Sequence, residues 1–243
     1  MKEREVYSDI KAIPPIVIRI DGRNFKRTLE RLSSQKPYDK TFAGAMADST
    51  ESLMKESGLS PQFAYTFSDE VNVFFLKLPF HGRIEKLDSI VPSFLSSALT
   101  LALDSKMPLS FDARVVPLSR EDICGYLEWR QAEAWKNHVH SYGYHALRED
   151  GLSKRTAASR MMGMNAKEVH DMLFEKGINL TKTPLWQRRG ILILKKKYKK
   201  SGYDPKNRAK VVTDRSKVIQ DWELPLFNSK EGQMLISKLL AEE

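Results

Sequence analysis

One cysteine in 243 residues, Cys124, excludes an internal disulfide, and no Cys/His grouping has zinc-site spacing. Cys124 lies at helical spacing with Ile123 and Leu127, the setting of a small apolar side chain rather than a nucleophile. Long apolar runs are also missing. The longest, Ile13 to Ile18 and Phe94 to Leu103, are too short or too interrupted by serine and threonine to span a bilayer. The polar start Lys2-Glu3-Arg4-Glu5 is not a secretory signal core, so a cytoplasmic, membrane-free protein is expected. Acid is scarce in one place: from Lys182 to Lys217, 13 basic residues face two acidic ones, in a chain of formal net charge +9. An excess so local predicts a surface for a polyanion, the alternative being a solvated lysine-rich hairpin.

What the chain has is a sizeable apolar fraction, 41% of residues, enough for a real core. Pro14-Pro15 precedes a first strand at about Ile16 to Ile20, ended by Asp21-Gly22. A helix is predicted over 41–57, with Gly58 as its stop, and two strands at Phe63 to Ser68 and Val71 to Leu78 flank a tight turn at Asp69-Glu70. A second amphipathic helix over 87–103 and a strand from Phe111 to Leu118 follow. The order is that of a split βαββαβ unit, an α+β fold in which two helices cover one face of a four-stranded antiparallel sheet. Beyond it the pattern predicts a long helix opened by Ser119 and Asp122 and reaching Leu147, and helices at 154–162 and 166–175. Basic strands over 190–198 and 210–219, joined around Ser201 to Lys206, and a closing helix over 229–241 complete it. Residues 1–118 read as a catalytic core and 119–243 as a helical and hairpin extension packed on it.

The split topology makes the end of the first strand and the second turn neighbours. Asp21 and Asp69 then meet, although each alone reads equally well as a turn residue. Two carboxylates at a glycine-containing strand end suit Mg²⁺, which takes oxygen ligands and keeps waters and substrate phosphates. The amides of Arg23, Asn24 and Phe25 are expected to meet a triphosphate where the chain turns. The histidines His81, His138, His140, His145 and His170 show no ligand spacing that converges on the acids, and Trp129, Trp135, Trp186 and Trp222 read as core or interface rather than stacking platforms.

The segments Arg19-Ile-Asp-Gly-Arg-Asn-Phe25, Lys36-Pro37, Ser68-Asp69-Glu70, Phe111-Asp-Ala-Arg-Val-Val116, Tyr126-Leu-Glu-Trp-Arg-Gln131 and Gly177-Ile-Asn179 resemble, in order, the tRNA-histidine guanylyltransferase family. The resemblance implies a polymerase-palm-like core, a homo-oligomer (tetramer or dimer), and nucleotide addition to the 5′ end of tRNA in the 3′-to-5′ direction. By it Asp21, the Gly22 carbonyl and Asp69 hold two Mg²⁺, with Glu70 beside them as a third catalytic acid. Asp21, Gly22, Arg23, Asn24, Phe25, Lys26, Ser68 and Asp69 cradle GTP or another nucleoside triphosphate, with ATP for 5′ activation left open. Arg19, Lys36 and Arg114 face phosphates at the tRNA 5′ end. Arg188, Arg189, Lys195, Lys196, Lys197, Lys199 and Lys200 are the candidate tRNA contacts.

The chain also departs from the family's eukaryotic branch. Tyr38-Asp39 stands where that branch shows Asn-Asp, and Trp135-Lys136-Asn137-His138 where it shows His-Ile-Asn-Asn. This makes the chain similar to the archaeal and bacterial branch that repairs truncated tRNA by templated addition, with strict histidine-tRNA maturation the alternative. A palm-type nucleotide cyclase would use the same acids without the basic stretch. A non-catalytic RNA-binding protein would use the basic stretch without the acids.

Overall fold

The computed structural model describes residues 4–204 and 209–241. Its elements run β1 (Ile16–Gly22), α1 (Phe25–Arg31), α2 (Lys40–Glu56), β2 (Phe63–Phe67), β3 (Glu70–Phe75), α3 (Ile84–Ala102), β4 (Phe111–Pro117), α4 (Asp122–Glu149), α5 (Lys154–Met162), α6 (Ala166–Glu175), α7 (Leu185–Arg189), β5 (Ile191–Asp204), β6 (Ala209–Asp221) and α8 (Lys230–Ala241). The expected strand, helix, strand, strand, helix, strand order is present, with α1 and α7 as short helices that periodicity did not reveal. Seven and five residues are too few for a period to emerge.

The sheet is larger than the four strands expected. Six antiparallel strands lie in the order β4-β1-β3-β2-β5-β6, because the basic hairpin adds itself to β2. Its strands run past the predicted ends; of the expected Ser201 to Lys206 connection, Lys206 lies outside the described residues, as do Lys2 and Glu3 at the start. Gly190 (φ 77°) makes the junction: a Cβ there would stand 2.7 Å from the Tyr65 hydroxyl and 2.8 Å from the Thr66 carbonyl, so only glycine lets β5 draw alongside β2.

Nor is the sheet covered on one face alone. Ile16, Ile18 and Ile20 of β1 pack with α2 and α3, whereas Val17, Phe74 and Tyr65 face Tyr126, Leu127 and Ala134 of α4 and Ile236 and Leu239 of α8. Cover on both sides explains why every residue of β2 and β3 is buried, the polar Thr66, Glu70 and Asn72 included, rather than every second one. Beyond the sheet, α4 continues for several turns and carries α5 and α6 on a third cluster around Ala146, Leu147, Met161 and Leu173. Caps read from sequence are in place: Ser119 and Asp122 exchange amide bonds of 3.0 and 3.2 Å, and Asn165 with Glu168 closes a capping box on α6.

Candidate active site

β1 and β3 pair with Asp21 opposite Glu70, and the Gly22 amide donates to the Asp69 carbonyl at 3.1 Å. Asp21, exposed, and Asp69, half-buried, therefore stand together at one end of the sheet, as the split topology requires. Gly22 has no room for a side chain: a Cβ would run into the Phe25 ring and lie 2.8 Å from Asp69 Oδ2. Ser68 holds the turn at φ 52° and Asn24 leaves β1 at φ 60°, so two L-residues in left-handed backbone flank the acid pair. Such strain persists where the surroundings over-determine it, and it clusters at functional sites. Burial raises the pKa of Asp69, and Asp21 and Glu70 push it further up.

Below this edge opens a cavity of about 940 Å³ between α1, α2, α4 and α5. Ser68 and Asp69 line it with Phe25, Lys26 and Lys36, and the exposed half of α4 adds Asn137, His140, Ser141, Tyr144, His145 and Arg148. The α4 residues were missed as site candidates. The signal is a polar stripe at 137, 141, 144, 145 and 148, helical spacing that continues after the helix has left the sheet. Lys154 of α5 also lines the cavity and donates to Glu30 of α1 at 2.8 Å.

Other expected residues are placed differently. Glu70 does not lie free beside the acid pair. Its side chain is buried and held by Arg130 through two bonds of 2.9 and 2.8 Å, with Asn72 donating a third at 2.8 Å. The Arg23 amide is bonded to the Ser110 carbonyl at 2.9 Å and so does not head a phosphate nest. Arg19 and Arg114 are β1–β4 partners away from the Lys36 cavity; Arg19 stacks over Trp129, and Arg114 is exposed near Asp112 at 3.7 Å. Trp129 is 49% exposed and thus not core. Arg188 donates to the Thr183 carbonyl at 3.2 Å and Arg189 to the Leu224 carbonyl at 2.8 Å, structural bonds for both; Lys196, Lys197, Lys199 and Lys200 are exposed and Lys195 is half-buried.

Among the described residues no group of three or more His, Cys, Asp and Glu side chains is arranged to hold a metal ion. Asp21 and Asp69 with a backbone carbonyl are a partial oxygen set. It fits a hard cation that completes its shell with water and phosphate, and a cation there would relieve the repulsion felt by Asp69.

His138 is fully buried among Tyr38, Trp135 and Tyr142, its Nε2 3.1 Å from the Thr183 hydroxyl, and burial, helped by Arg188, lowers its pKa to about 4. The unfolded chain takes up this proton near pH 6.5 and the folded chain only near 4, so stability is full above pH 6.5 and drains as pH falls between them. Urea melts at pH 7.5 and 4.5 are expected to differ by about 2 kcal/mol more for the natural chain than for His138→Gln. An equal pH response would remove His138 as the cause.

Two family models match: "tRNAHis guanylyltransferase" over residues 1–119 and "Thg1 C terminal domain" over residues 121–225. A Drosophila melanogaster protein named "Probable tRNA(His) guanylyltransferase" is 32% identical over 193 residues, covering 75% of this chain and 67% of its own. Its Bos taurus namesake is 31% identical over 205 residues, covering 79% and 68%. Among solved structures, a bacterial tRNA(His) guanylyltransferase-like protein in complex with ATP superposes with a TM-score of 0.78 at 24% identity, over 99% of this chain and 97% of that one. The complex with GTP gives 0.74 over 98% and 96%, and the Saccharomyces cerevisiae tRNA(His) guanylyltransferase 0.67 at 25% identity over 79% and 90%. The chain belongs to the tRNA(His) guanylyltransferase family and is a nucleotidyltransferase.

Proposed function

We propose that this chain extends the 5′ end of tRNA by template-dependent addition in the 3′-to-5′ direction, restoring truncated 5′ ends. The observation that carries the reading is the β1–β3 register, which brings Asp21 to the sheet end held by Asp69, and Asp69 lines a cavity with Lys26, Lys36, Arg148 and Lys154. The bacterial neighbours that hold ATP and GTP support nucleoside triphosphates as its occupants. The βαββαβ core serves as a polymerase-type palm. The 3′-hydroxyl of the incoming nucleotide attacks the phosphorus bonded to the 5′ oxygen of a tRNA end that carries a triphosphate or an adenylate; the new P–O bond forms as the bond to pyrophosphate or AMP breaks, and the hydroxyl proton passes to solvent. Asp21, the Gly22 carbonyl and Asp69 would hold two Mg²⁺, whose chemistry is to acidify that hydroxyl and to neutralise the leaving group. Lys26 and Lys36 bind and orient the polyphosphate, and Ser68 with Phe25 shapes its seat. Active copies are homo-oligomers, which light scattering of the purified chain would check.

Dedicated histidine-tRNA maturation is the second reading, favoured by the names of the relatives. The departures in sequence support repair. Tyr38 and the Trp135 to His138 segment pack into one aromatic cluster, with ring centroids 5.6 Å apart for Tyr38 and His138 and 5.5 Å for Trp135 and His138, at the wall of the cavity. The test offers tRNAs lacking a 5′ nucleotide, with varied partner bases on the 3′ strand and varied 5′ phosphorylation. The added base is expected to follow the partner; guanosine added regardless would favour the second reading. Lys36→Ala and Lys26→Ala are each expected to raise KM for the triphosphate roughly tenfold with little change in kcat, the value of one charge-assisted contact. An unchanged KM would take these lysines out of the polyphosphate seat.

A further inference from the structure

We propose that the β5–β6 hairpin engages the tRNA backbone with one face only, the face carrying Lys196, Tyr198, Lys200, Arg215 and Lys217; this rests on the tRNA-substrate reading above. Side chains alternate between the two faces of a strand, and the core fixes which face is which. Ile191 and Ile193 pack into the α2–α3 layer and Leu192 and Leu194 into the α4–α8 layer. Continued along β5, the alternation puts Lys196, Tyr198 and Lys200 on the α4–α8 side and Lys195, Lys197 and Lys199 on the other.

The register then decides the charge of each face. On the α4–α8 side Lys196 stands opposite Lys217, Tyr198 opposite Arg215 and Lys200 opposite Thr213. Four exposed cations surround a 41% exposed tyrosine, with no carboxylate in these three pairs. On the reverse face Lys199 stands opposite Asp214, Lys197 opposite Ser216, and the half-buried Lys195 opposite Val218. One face is partly neutralised within the hairpin and the other is not. Like charges directly opposite each other destabilise a ribbon, so the Lys196–Lys217 pair is a repulsion that a polyanion relieves. The cations recur at two-residue steps, about 7 Å along the strand, which suits a run of phosphates read by charge and shape. Tyr198 at the centre offers a ring to a ribose or an unstacked base.

The test compares two variants of the full chain, each lacking three charges: K196Q/R215Q/K217Q on one face and K197Q/K199Q/K210Q on the other. Transfer RNA binding is followed across a salt series. The first variant is expected to bind at least about tenfold more weakly and to flatten the slope of log affinity against log salt by about two, and the second to flatten it by less than one. Lys217→Glu, which turns the repulsive pair into an attractive one, is expected to raise the melting temperature while weakening tRNA binding; a fall in both would mark a folding defect and overturn the assignment. Equal losses from the two triple variants overturn the face assignment and leave a tRNA-binding hairpin standing. Unchanged binding in both overturns the hairpin's part in binding, and templated addition by the unaltered chain then tells whether the tRNA reading survives.

Discussion

Asp69→Asn and Asp21→Asn are each expected to lower single-turnover nucleotide addition by at least about 10³-fold while tRNA affinity changes less than about twofold. Asp21 lies opposite Glu70 and the Gly22 amide is bonded to the Asp69 carbonyl, so the two carboxylates share one edge, at a place where backbone strain at Ser68 and Asn24 has been kept. Asp69 bears a charge that burial, Asp21 and Glu70 all oppose. A carboxylate held in that way lowers stability as pH rises through its raised pKa, because the folded state keeps the proton longer than the unfolded state does. Asparagine keeps the shape and removes the charge, so Asp69→Asn is expected to melt at a higher temperature than the natural chain at pH 7.5. Loss of activity with gain of stability separates a functional carboxylate from a turn residue. Appreciable addition by either variant, or a lowered melting temperature for Asp69→Asn, would sink the assignment. The same charge logic predicts that divalent cations bind more tightly as pH rises, since they compete with that proton.

The acid pair was legible in the sequence because its causes are local. A β-branched run ending in Asp21-Gly22, and two apolar runs around a two-residue turn, are patterns that a strand and a hairpin must show. The split order then made distant residues neighbours without knowledge of any side chain. Three features depended on partners the pattern does not name. The hairpin reads as strand pair from its own residues, but its docking on β2 rests on Gly190 fitting against Tyr65, a contact between residues 125 apart in the chain. The cavity wall comes from α4 after it leaves the sheet, and periodicity gives a helix's length without giving the point where its core ends. Glu70 follows Asp69 and carries the same chemistry, so sequence grouped the two. Alternation along β3 turns Glu70 onto the α4 face, where Arg130 sits 60 residues later.

That ion pair carries the largest stability effect expected of any single substitution here. Arg130→Ala is expected to destabilise the chain by about 3–5 kcal/mol, because it leaves a carboxylate buried without its partner. Glu70 is 9% and Arg130 5% exposed, the guanidinium makes both bonds to the carboxylate, and it lies 4.2 Å from the centroid of the Trp129 ring. Asn72, itself accepting from the Tyr126 hydroxyl at 2.7 Å, occupies one Glu70 oxygen and cannot neutralise it. The loss is a large share of the 5–15 kcal/mol that holds a typical domain together, so it is measurable in urea melts. One control separates charge from packing. Glu70→Gln in the Arg130→Ala background removes the stranded charge and is expected to recover most of the stability at pH 7.5. No recovery with Glu70→Gln would assign the effect to lost packing around Trp129 and Phe67. Because Glu70 is the residue paired with Asp21 and joined to Asp69, activity is expected to fall with the ion pair even where the variant stays folded. The buried pair thus braces the edge on which the two proposed metal-binding carboxylates stand.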